Sequence, residues 1–304
     1  MSQRDPPAGL DAAWLRDHAL PPVNATGDKE SRGHVLVVGG SDDTPGAALL
    51  SAMAALGAGA GKLTILTTTQ VAVAVGVAMP EAKVIGARSG DAAAFEKALE
   101  RLCQGLSCPS VVLIGPGMSE DDGGATATRF LQRFPELPLV LDAAAMRAAI
   151  DGVGRGGGRP APVLLTPHAG ELAGLCDCSK EEVTADPCAA AMQLARMTRG
   201  AVLLKGSRTV LASPEAVLWE HRESLPGLAT SGSGDVLSGV IAGLLAQGTE
   251  LSTAAGWGVS VHARCGAMLA AEFADVGYLA RDMARVVPRA LRQLGRDSAA
   301  PTPR

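Results

Sequence analysis

The amino-acid sequence predicts an α/β fold in which a doubly wound, mostly parallel sheet carries helices on both faces. Short runs of β-branched and other apolar residues alternate along the chain with Ala-rich segments of helical length. Several of these apolar runs are continuous rather than alternating, as expected of parallel strands that are buried on both faces. Hydrophobic residues make up 47% of the 304 residues and charged residues 19%, which is enough for a sizeable core.

The alternation begins with a strand at 34–38, which is followed by an Ala-rich helix at 47–56. Further strands are predicted at 63–67, 111–114, 139–141, 163–166, 201–204, 209–212 and 217–219. Further helices are predicted at 92–103, 123–133, 143–150, 187–199, 235–246, 252–272 and 279–294. Because a strand, a helix and a second strand in succession form a parallel unit, this order favours one sheet covered on both sides.

The chain is predicted to form one main domain. Residues 1–32 are polar and contain proline, and they are expected to form an arm or a short helix. The domain itself spans 33–296, with a Gly-rich surface loop at 151–159 and a flexible tail at 297–304. No linker divides the chain further.

Composition and charge exclude several functional classes. The formal net charge is −4 at pH 7, so the chain offers no overall basic surface for nucleic acid or an anionic membrane. Residues 1–23 contain no apolar run of the kind found in secretory signals, and the apolar stretch at 236–246 falls short of the roughly 20 residues that span a bilayer. We therefore expect a cytoplasmic protein.

The six cysteines show none of the spacings of a zinc site. A chain of this size does not need disulfides for stability, so all six are expected to be reduced structural thiols.

The most informative segment is the Gly-rich run at 230–239, which contains Gly232, Ser233, Gly234 and Asp235. A Gly-rich turn that leads into a helix directs free backbone N–H groups and the positive end of the helix dipole at one point, where an anion binds. A carboxylate beside a phosphate suits a general base that takes the proton of an attacking hydroxyl. The alternative is that Asp235 only caps a helix, since Asp is a favoured N-cap residue.

The sequence does not match three other motifs, two for phosphate or dinucleotide binding and one for hydrolysis. The run at 57–62 ends in Gly-Lys but has Leu56 and Leu63 where a P-loop requires Gly and Ser or Thr. The run at 39–41 does not continue as G-x-G-x-x-G, which is required for Rossmann-type dinucleotide binding. Position 231 is Ser, so no G-x-S-x-G hydrolase elbow is present.

Four loops are predicted to follow strands at the same edge of the sheet, at 39–48, 114–117, 141–143 and 166–171. Any one of them could be only a turn. Together they predict a polar crevice that contains Asp142, His168 and Asp235, because ligands of open α/β sheets bind at the carboxyl ends of the strands. His168 could alternatively be a solvent-facing residue at a helix N-terminus.

The segment at 205–209 lies between two predicted strands and would ordinarily form a hairpin turn. Its cationic and hydroxyl side chains also suit contacts to phosphate or ribose. Both interpretations stay open from the residues alone.

In combination, these segments resemble the ADP-dependent (S)-NAD(P)H-hydrate dehydratase family, a branch of the ribokinase-like superfamily. The resemblance covers about residues 33–270. It rests on seven segments in order: GGSDDTPGAA at 39–48, PE at 80–81, IGPG at 114–117, LDA at 141–143, TPHAGE at 166–171, LKGSRTV at 204–210 and GSGDVLSG at 232–239. The last segment alone would indicate only the superfamily, and the others make the family specific.

The resemblance implies a ribokinase-like fold and a repair reaction. The substrate would be the hydrated form of NADH or NADPH, and ADP, as co-substrate, would phosphorylate its hydroxyl so that phosphate is eliminated. NADH or NADPH, AMP and phosphate would be the products. Mg²⁺ would bridge the phosphates, and no side-chain metal site is expected.

The resemblance also assigns roles to residues of this chain. Asp235 would be the base and would contact the substrate, while Gly232, Ser233 and Gly234 would form the anion hole. The adenylate side would be held by Gly234 together with Lys205, Gly206, Ser207, Arg208 and Thr209. The hydrated nicotinamide nucleotide would contact Ala48, Gly117 and His168.

Two departures from the family pattern stand out. The epimerase domain often fused ahead of this one is absent here, so the chain is expected to accept one epimer and to depend on a separate NAD(P)H-hydrate epimerase or on spontaneous epimerisation. The family's N-x-T-G-N run before the anion hole is replaced by His221-Arg222-Glu223-Ser224-Leu225, and Ser231 stands where Gly is usual. We expect this change to weaken ADP binding. A homo-oligomer is also expected, with a tetramer as one option.

Two alternative functions remain open from the sequence. A small-molecule kinase of the same fold would share Asp235 and the anion hole and would accumulate a phosphorylated product from ATP. A nucleotide-binding protein without turnover would bind ADP and form no product.

Overall fold

The computed structural model describes residues 8–22, 27–104, 108–151, 162–222 and 225–299. Most of the predicted loop at 151–159, residues 300–304 of the predicted tail, and Glu223 and Ser224 lie outside these ranges.

A ten-stranded sheet forms the centre of the described structure, in the strand order β1-β10-β9-β8-β7-β6-β5-β2-β3-β4. Every neighbouring pair is parallel except the two pairs that contain β9. The predicted mostly parallel sheet is thus confirmed. The strands are β1 (Ala8–Gly9), β2 (His34–Val38), β3 (Lys62–Thr68), β4 (Lys83–Ala87), β5 (Val111–Ile114), β6 (Leu139–Leu141), β7 (Val163–Leu165), β8 (Ala201–Leu204), β9 (Arg208–Ala212) and β10 (Val217–Arg222).

Helices cover both faces of this sheet. The helices are α1 (Ala12–Asp17), α2 (Pro45–Gly57), α3 (Ala72–Ala78), α4 (Ala92–Gln104), α5 (Glu120–Arg133), α6 (Arg147–Asp151), α7 (Ala169–Cys176), α8 (Lys180–Ala185), α9 (Pro187–Thr198), α10 (Ser233–Ala246), α11 (Leu251–Glu272) and α12 (Ala280–Ala299). Short 3₁₀ turns occupy Glu30–Arg32, Ala143–Met146 and Pro226–Leu228. Among the described residues, none of the helices has the length and hydropathy of a membrane-spanning segment.

Two hydrophobic cores lie on opposite faces of the sheet. One contains buried residues of α2, α10, α11 and α12, and the other contains those of α4, α5, α7 and α9. Strand β2 contributes Val35 and Val37 to the first core and Leu36 and Val38 to the second. Successive side chains of a strand point to opposite faces, so this continuous apolar run is explained by burial on both sides.

The chain reverses its direction of winding beside β2. From β2 it proceeds through β3 to β4 at one edge, and then crosses to the other side of β2, where β5 begins the series that reaches β10. Such a switch point opens a crevice at the carboxyl ends of the two central strands. The loops there are joined by hydrogen bonds from the Gly40 amide to Pro116 O at 2.7 Å and from Thr44 Oγ1 to Gly117 O at 2.8 Å.

Small residues bring α10 close to α2. A Cβ atom added to Gly239 would collide with the main chain of Ser51, and one added to Gly243 would lie 2.5 Å from Ala55 O. Glycine is therefore required at both positions for this close approach. The packing places the first turn of α10 beside the N-terminal half of α2, at the crevice end of the sheet.

The cysteine prediction was wrong in one respect. Cys103 and Cys108 form a disulfide, so not all six thiols are reduced. The two residues are five apart in sequence and lie close together where the chain leaves α4. The search for the cysteine spacings of a zinc site does not detect such a pair. Cys176, Cys178, Cys188 and Cys265 are free.

Candidate active site

The run at 232–235 forms the start of α10. Gly232 is the N-cap residue and has a φ of +85°, a conformation that glycine adopts without strain. A side chain there would also collide with Leu50. Because Gly232 occupies the cap and makes no side-chain cap bond, the alternative interpretation of Asp235 as an N-cap is wrong: Asp235 is the third residue of the helix.

The turn leaves two amide groups available. The amide of Ser233 donates to Thr230 O at 3.2 Å, and that of Val236 donates to Gly232 O at 3.1 Å. Within the part of the chain that the structure describes, the amides of Gly234 and Asp235 have no backbone acceptor. Two free N–H groups at the positive end of a helix dipole form a site for an anion.

The carboxyl group of Asp235 has a raised pKa. Burial is the main cause, the nearby charge of Asp142 adds to it, and Lys205 opposes both, with the result that the pKa rises to about 7. The main chain of Asp235 is held in place by Ser51 on α2 and by Ser238, whose Oγ atoms donate to Asp235 O at 3.0 Å and 3.1 Å. A pKa near neutrality is suited to general-base catalysis.

A cluster of polar side chains lies next to this turn, at the carboxyl ends of β6, β7 and β8. Lys205 Nζ donates to Asp142 Oδ1 at 3.1 Å, and Thr166 Oγ1 donates to the same oxygen at 2.7 Å. A Cβ atom on Gly234 would lie 3.3 Å from Lys205 Nζ, so the ammonium group adjoins the free amides.

Lys205 keeps its positive charge in this cluster. Burial lowers the pKa of the ammonium group, but the carboxylates of Asp142, Glu171 and Asp235 raise it, and the net pKa lies above its ordinary value. The side chain of Asp142 is only 5% exposed and that of Lys205 18%. The pair thus supplies a fixed cation at the end of α10.

The segment at 205–209 is a hairpin turn between β8 and β9, as one of the two interpretations predicted. Gly206 and Ser207 are exposed at its tip, and Thr209 Oγ1 donates to Gly206 O at 2.9 Å, which stabilises the turn. The guanidinium group of Arg208 is bound by Glu220, with Nε donating to Oε2 at 2.8 Å. Of these five residues, Lys205 is the one whose side chain reaches the start of α10.

The residues expected on the nicotinamide side lie along the crevice. Gly117, with a φ of +67°, follows β5 and packs against the start of α2, and Ala48 is fully buried beneath Gly39 and Gly40. This burial includes the main chain, so Ala48 exposes no atom to the crevice in this structure.

His168 is the N-cap residue of α7. Its Nδ1 accepts hydrogen bonds from the amides of Gly170 and Glu171 at 3.0 Å and 3.1 Å. The proton of the neutral ring is therefore on Nε2, which lies 3.6 Å from Glu171 Oε2 on a side chain that is 61% exposed. His168 also pairs with Lys205 in an isolated parallel bridge, which brings it to the polar cluster.

The segment that departs from the family pattern lies beside the hairpin. His221 and Arg222 end β10 and pair with Thr209 and Arg208 of β9. Glu223, which belongs to the replaced run, lies outside the described residues.

Sequence reasoning missed two residues that hold the site together. His262 on α11 bonds Ser233, and Ser51 on α2 bonds Asp235. Neither belongs to a local motif. The one signal in the sequence is that His262 is a polar residue in the middle of an otherwise largely apolar predicted helix.

No group of three His, Cys, Asp or Glu side chains that could hold a metal occurs among the described residues. Asp142 Oδ1 is already bonded to Thr166 and Lys205. A divalent cation at this site would be coordinated mainly by oxygen atoms of a bound molecule rather than by side chains of the protein.

Comparisons with known proteins identify the family of this chain. The sequence profile of one family, described as NAD(P)H-hydrate dehydratase, matches residues 35–289. An ADP-dependent (S)-NAD(P)H-hydrate dehydratase from Xanthomonas campestris is 42% identical over 288 residues, which cover 94% of this chain and 97% of the relative. A bifunctional NAD(P)H-hydrate repair enzyme from Moorella thermoacetica is 36% identical over 94% of this chain but only 54% of its own length.

Solved structures show the same fold. The ADP/ATP-dependent NAD(P)H-hydrate dehydratase of Bacillus subtilis, co-crystallised with ATP and Mg²⁺, has a TM-score of 0.81 at 27% identity and covers 96% of this chain and 100% of that chain. A ribokinase-like superfamily protein from Enterococcus faecalis has a TM-score of 0.77 at 25% identity, covering 94% and 96%. The fold is ribokinase-like, and the chain belongs to the NAD(P)H-hydrate dehydratase family.

Proposed function

We propose that this chain dehydrates the S epimer of hydrated NADH and NADPH with ADP as co-substrate, and releases NADH or NADPH, AMP and phosphate. The observation that carries the proposal is the start of α10, where Asp235, with a pKa of about 7, lies in the same turn as two free amides and beside the Lys205 cation. A base, an anion site and a cation at one point are the parts that phosphoryl transfer to a hydroxyl needs.

The first step is transfer of the terminal phosphoryl group of ADP. Asp235 takes the proton of the substrate hydroxyl while that oxygen forms a bond to phosphorus. The bond from phosphorus to the AMP oxygen breaks, and AMP leaves. The amides of Gly234 and Asp235 stabilise the charge on the transferred group, and Lys205 adds a positive charge beside them.

The second step is elimination. The carbon–oxygen bond of the phosphorylated hydrate breaks and phosphate departs, and loss of a proton from the neighbouring ring carbon restores the double bond of the reduced nicotinamide. Phosphate leaves far more readily than hydroxide, which explains why a nucleotide is consumed to remove water.

The remaining site residues are proposed to bind the two ligands. The hairpin at 205–209 lies on the adenylate side, where its exposed tip offers the Ser207 hydroxyl. His168 offers its Nε2–H to the hydrated nucleotide across the crevice, near Gly117. Mg²⁺ is proposed to enter with the nucleotide and to neutralise its phosphates, and no step of the reaction is assigned to it.

The test is incubation of the purified chain with hydrated NADH and ADP, followed by separation of all products. The dehydratase predicts recovery of NADH together with AMP and phosphate, and no recovery without nucleotide. A phosphorylated product that accumulates from ATP would instead indicate a small-molecule kinase. Binding of ADP without any product would indicate a protein without turnover.

A further inference from the structure

The side chain of His262 contacts the first residue of α10. It lies on α11, and its Nε2 is 2.8 Å from Ser233 Oγ and 3.1 Å from Ser233 O. A carbonyl oxygen can only accept a hydrogen bond, so the proton of the ring is on Nε2, which donates to both Ser233 oxygens. Burial lowers the pKa of His262 to about 4, so the ring is neutral at neutral pH.

The turn needs such a support because of its own composition. Ser233 stands between Gly232 and Gly234, and glycine has the widest backbone freedom of any residue. Asp235 is held separately, through its carbonyl group, by Ser51 and Ser238. Within the described structure, the side chain of His262 is thus what holds Ser233 in place.

The geometry points to His262 as a positioning residue: by holding both oxygens of Ser233, it directs the amides of Gly234 and Asp235 at the phosphoryl group that is transferred. This inference rests on the function proposed above and adds a residue to it. His262 is uncharged and bonds Ser233, so its effect is on geometry and not on the net charge of the site.

The experiment compares two substitutions of His262 by their effect on phosphate recognition. His262→Leu removes the donor, whereas His262→Gln keeps an N–H close to the position of Nε2. Calorimetry measures the affinity of each variant for ADP and for adenosine, which lacks the phosphates. We expect His262→Leu to weaken ADP binding about tenfold, because a misdirected amide loses its hydrogen bond to the phosphate and such a bond is worth about 1.4 kcal/mol. Adenosine binding should stay unchanged. His262→Gln should recover most of the ADP affinity.

His34 provides a matched control. Its Nε2 likewise bonds a hydroxyl, Thr64 Oγ1 at 2.9 Å, but this buried histidine begins β2 and so lies at the opposite end of the sheet from the crevice. His34→Leu should lower stability in a similar way without a change in affinity for either ligand. Equal weakening of ADP and adenosine binding by His262→Leu, or no weakening of ADP binding, would overturn the inference.

A measurement on the unsubstituted protein covers the case in which His262→Leu does not fold. Nuclear magnetic resonance with nitrogen-labelled histidine should show His262 as the neutral form with its proton on Nε2 at pH 7. A proton on Nδ1 instead, or a charged ring, would contradict the proposed support. Absence of turnover in a wild-type protein that binds ADP would reject the proposed dehydratase, whereas an active wild type with unchanged ADP affinity in His262→Leu would reject only the role of His262.

Discussion

Replacing Asp235 with Asn should inactivate the protein and at the same time stabilise it. In the folded chain the pKa of the Asp235 carboxyl group is about 7, whereas in the unfolded chain it has the ordinary value of 3.8. Ionisation of this carboxyl group therefore disfavours the folded state. The destabilisation is absent below pH 3.8, grows as the pH rises to about 7, and stays constant above that.

The size of the effect follows from the two pKa values. Their difference, at 1.36 kcal/mol for each pKa unit, corresponds to at most about 4 kcal/mol of stability lost above pH 7. Partial exposure of the carboxyl group to water reduces this, so a gain of roughly 2–4 kcal/mol is expected for the Asn variant at pH 8. At pH 5 the gain should be less than half as large, because the folded protein still holds the proton there.

The assay is urea denaturation of both proteins at pH 5 and pH 8, together with turnover and ADP affinity at pH 8. Turnover should fall at least about 100-fold, the usual contribution of a general base, and ADP affinity should stay within about twofold. Asp121→Asn, at an exposed aspartate in the first turn of α5, is the matched control for the change from Asp to Asn away from the site. A variant that is no more stable than wild type at pH 8, or a gain that is the same at both pH values, would refute this explanation.

Three other predictions concern the same crevice. The kcat/KM of the wild type should rise with pH through about 7 and then level off, since the ionised form of Asp235 is the base; a profile that is flat from pH 5 to 8 would exclude it. His168→Ala should raise the KM for the hydrated nucleotide at least about fivefold while the Kd for ADP stays unchanged, because one donor on the substrate side is lost; equal effects on both ligands would indicate that His168 only caps α7. Gly232→Ala should destabilise the protein by at least about 1–2 kcal/mol, measured by denaturation, because its φ is +85° and a side chain would meet Leu50; an unchanged midpoint would be inconsistent with this turn.

The sheet could largely be predicted from the sequence because its central strands are buried on both faces. Strands β5, β6 and β8 have the predicted limits, since each is a continuous apolar run that is followed by a residue of another kind, Gly115, Asp142 and Lys205 respectively. Strand β4 was missed because it lies at the edge of the sheet, is half-exposed and contains Gly86, so it lacks a buried apolar run. Helix α3 was missed for a related reason: it is short and rich in β-branched valine.

Two other helices were missed because their signals are local caps rather than periodic apolar faces. Helices α7 and α8 begin with capping boxes at His168 and Ser179, and both are too short to show a clear period. The last helix was predicted to end at 294 but continues to Ala299, into the region expected to be a flexible tail.

The part of the site that lies within one segment could be predicted, and the part made by packing could not. The run at 232–235 signals an anion site because glycines and a helix start are adjacent in sequence. The contacts of His262 and Ser51 with this run join residues 29 and 184 positions apart, and they arise from the packing of α11 and α2 against α10. The same limit applies to Arg208, whose ion pair with Glu220 depends on the antiparallel pairing of β9 with β10.

The central claim is that the substrate hydroxyl is phosphorylated before it leaves, with Asp235 as the base. Hydrated NADH whose hydroxyl carries isotopically heavy oxygen tests it most directly, by mass spectrometry of the products after turnover with ADP. We expect the heavy oxygen in the released phosphate, because that oxygen forms the new bond to phosphorus and its bond to carbon then breaks. Heavy oxygen in water, with unlabelled phosphate, would show that water leaves directly and would contradict the proposed role of the α10 site.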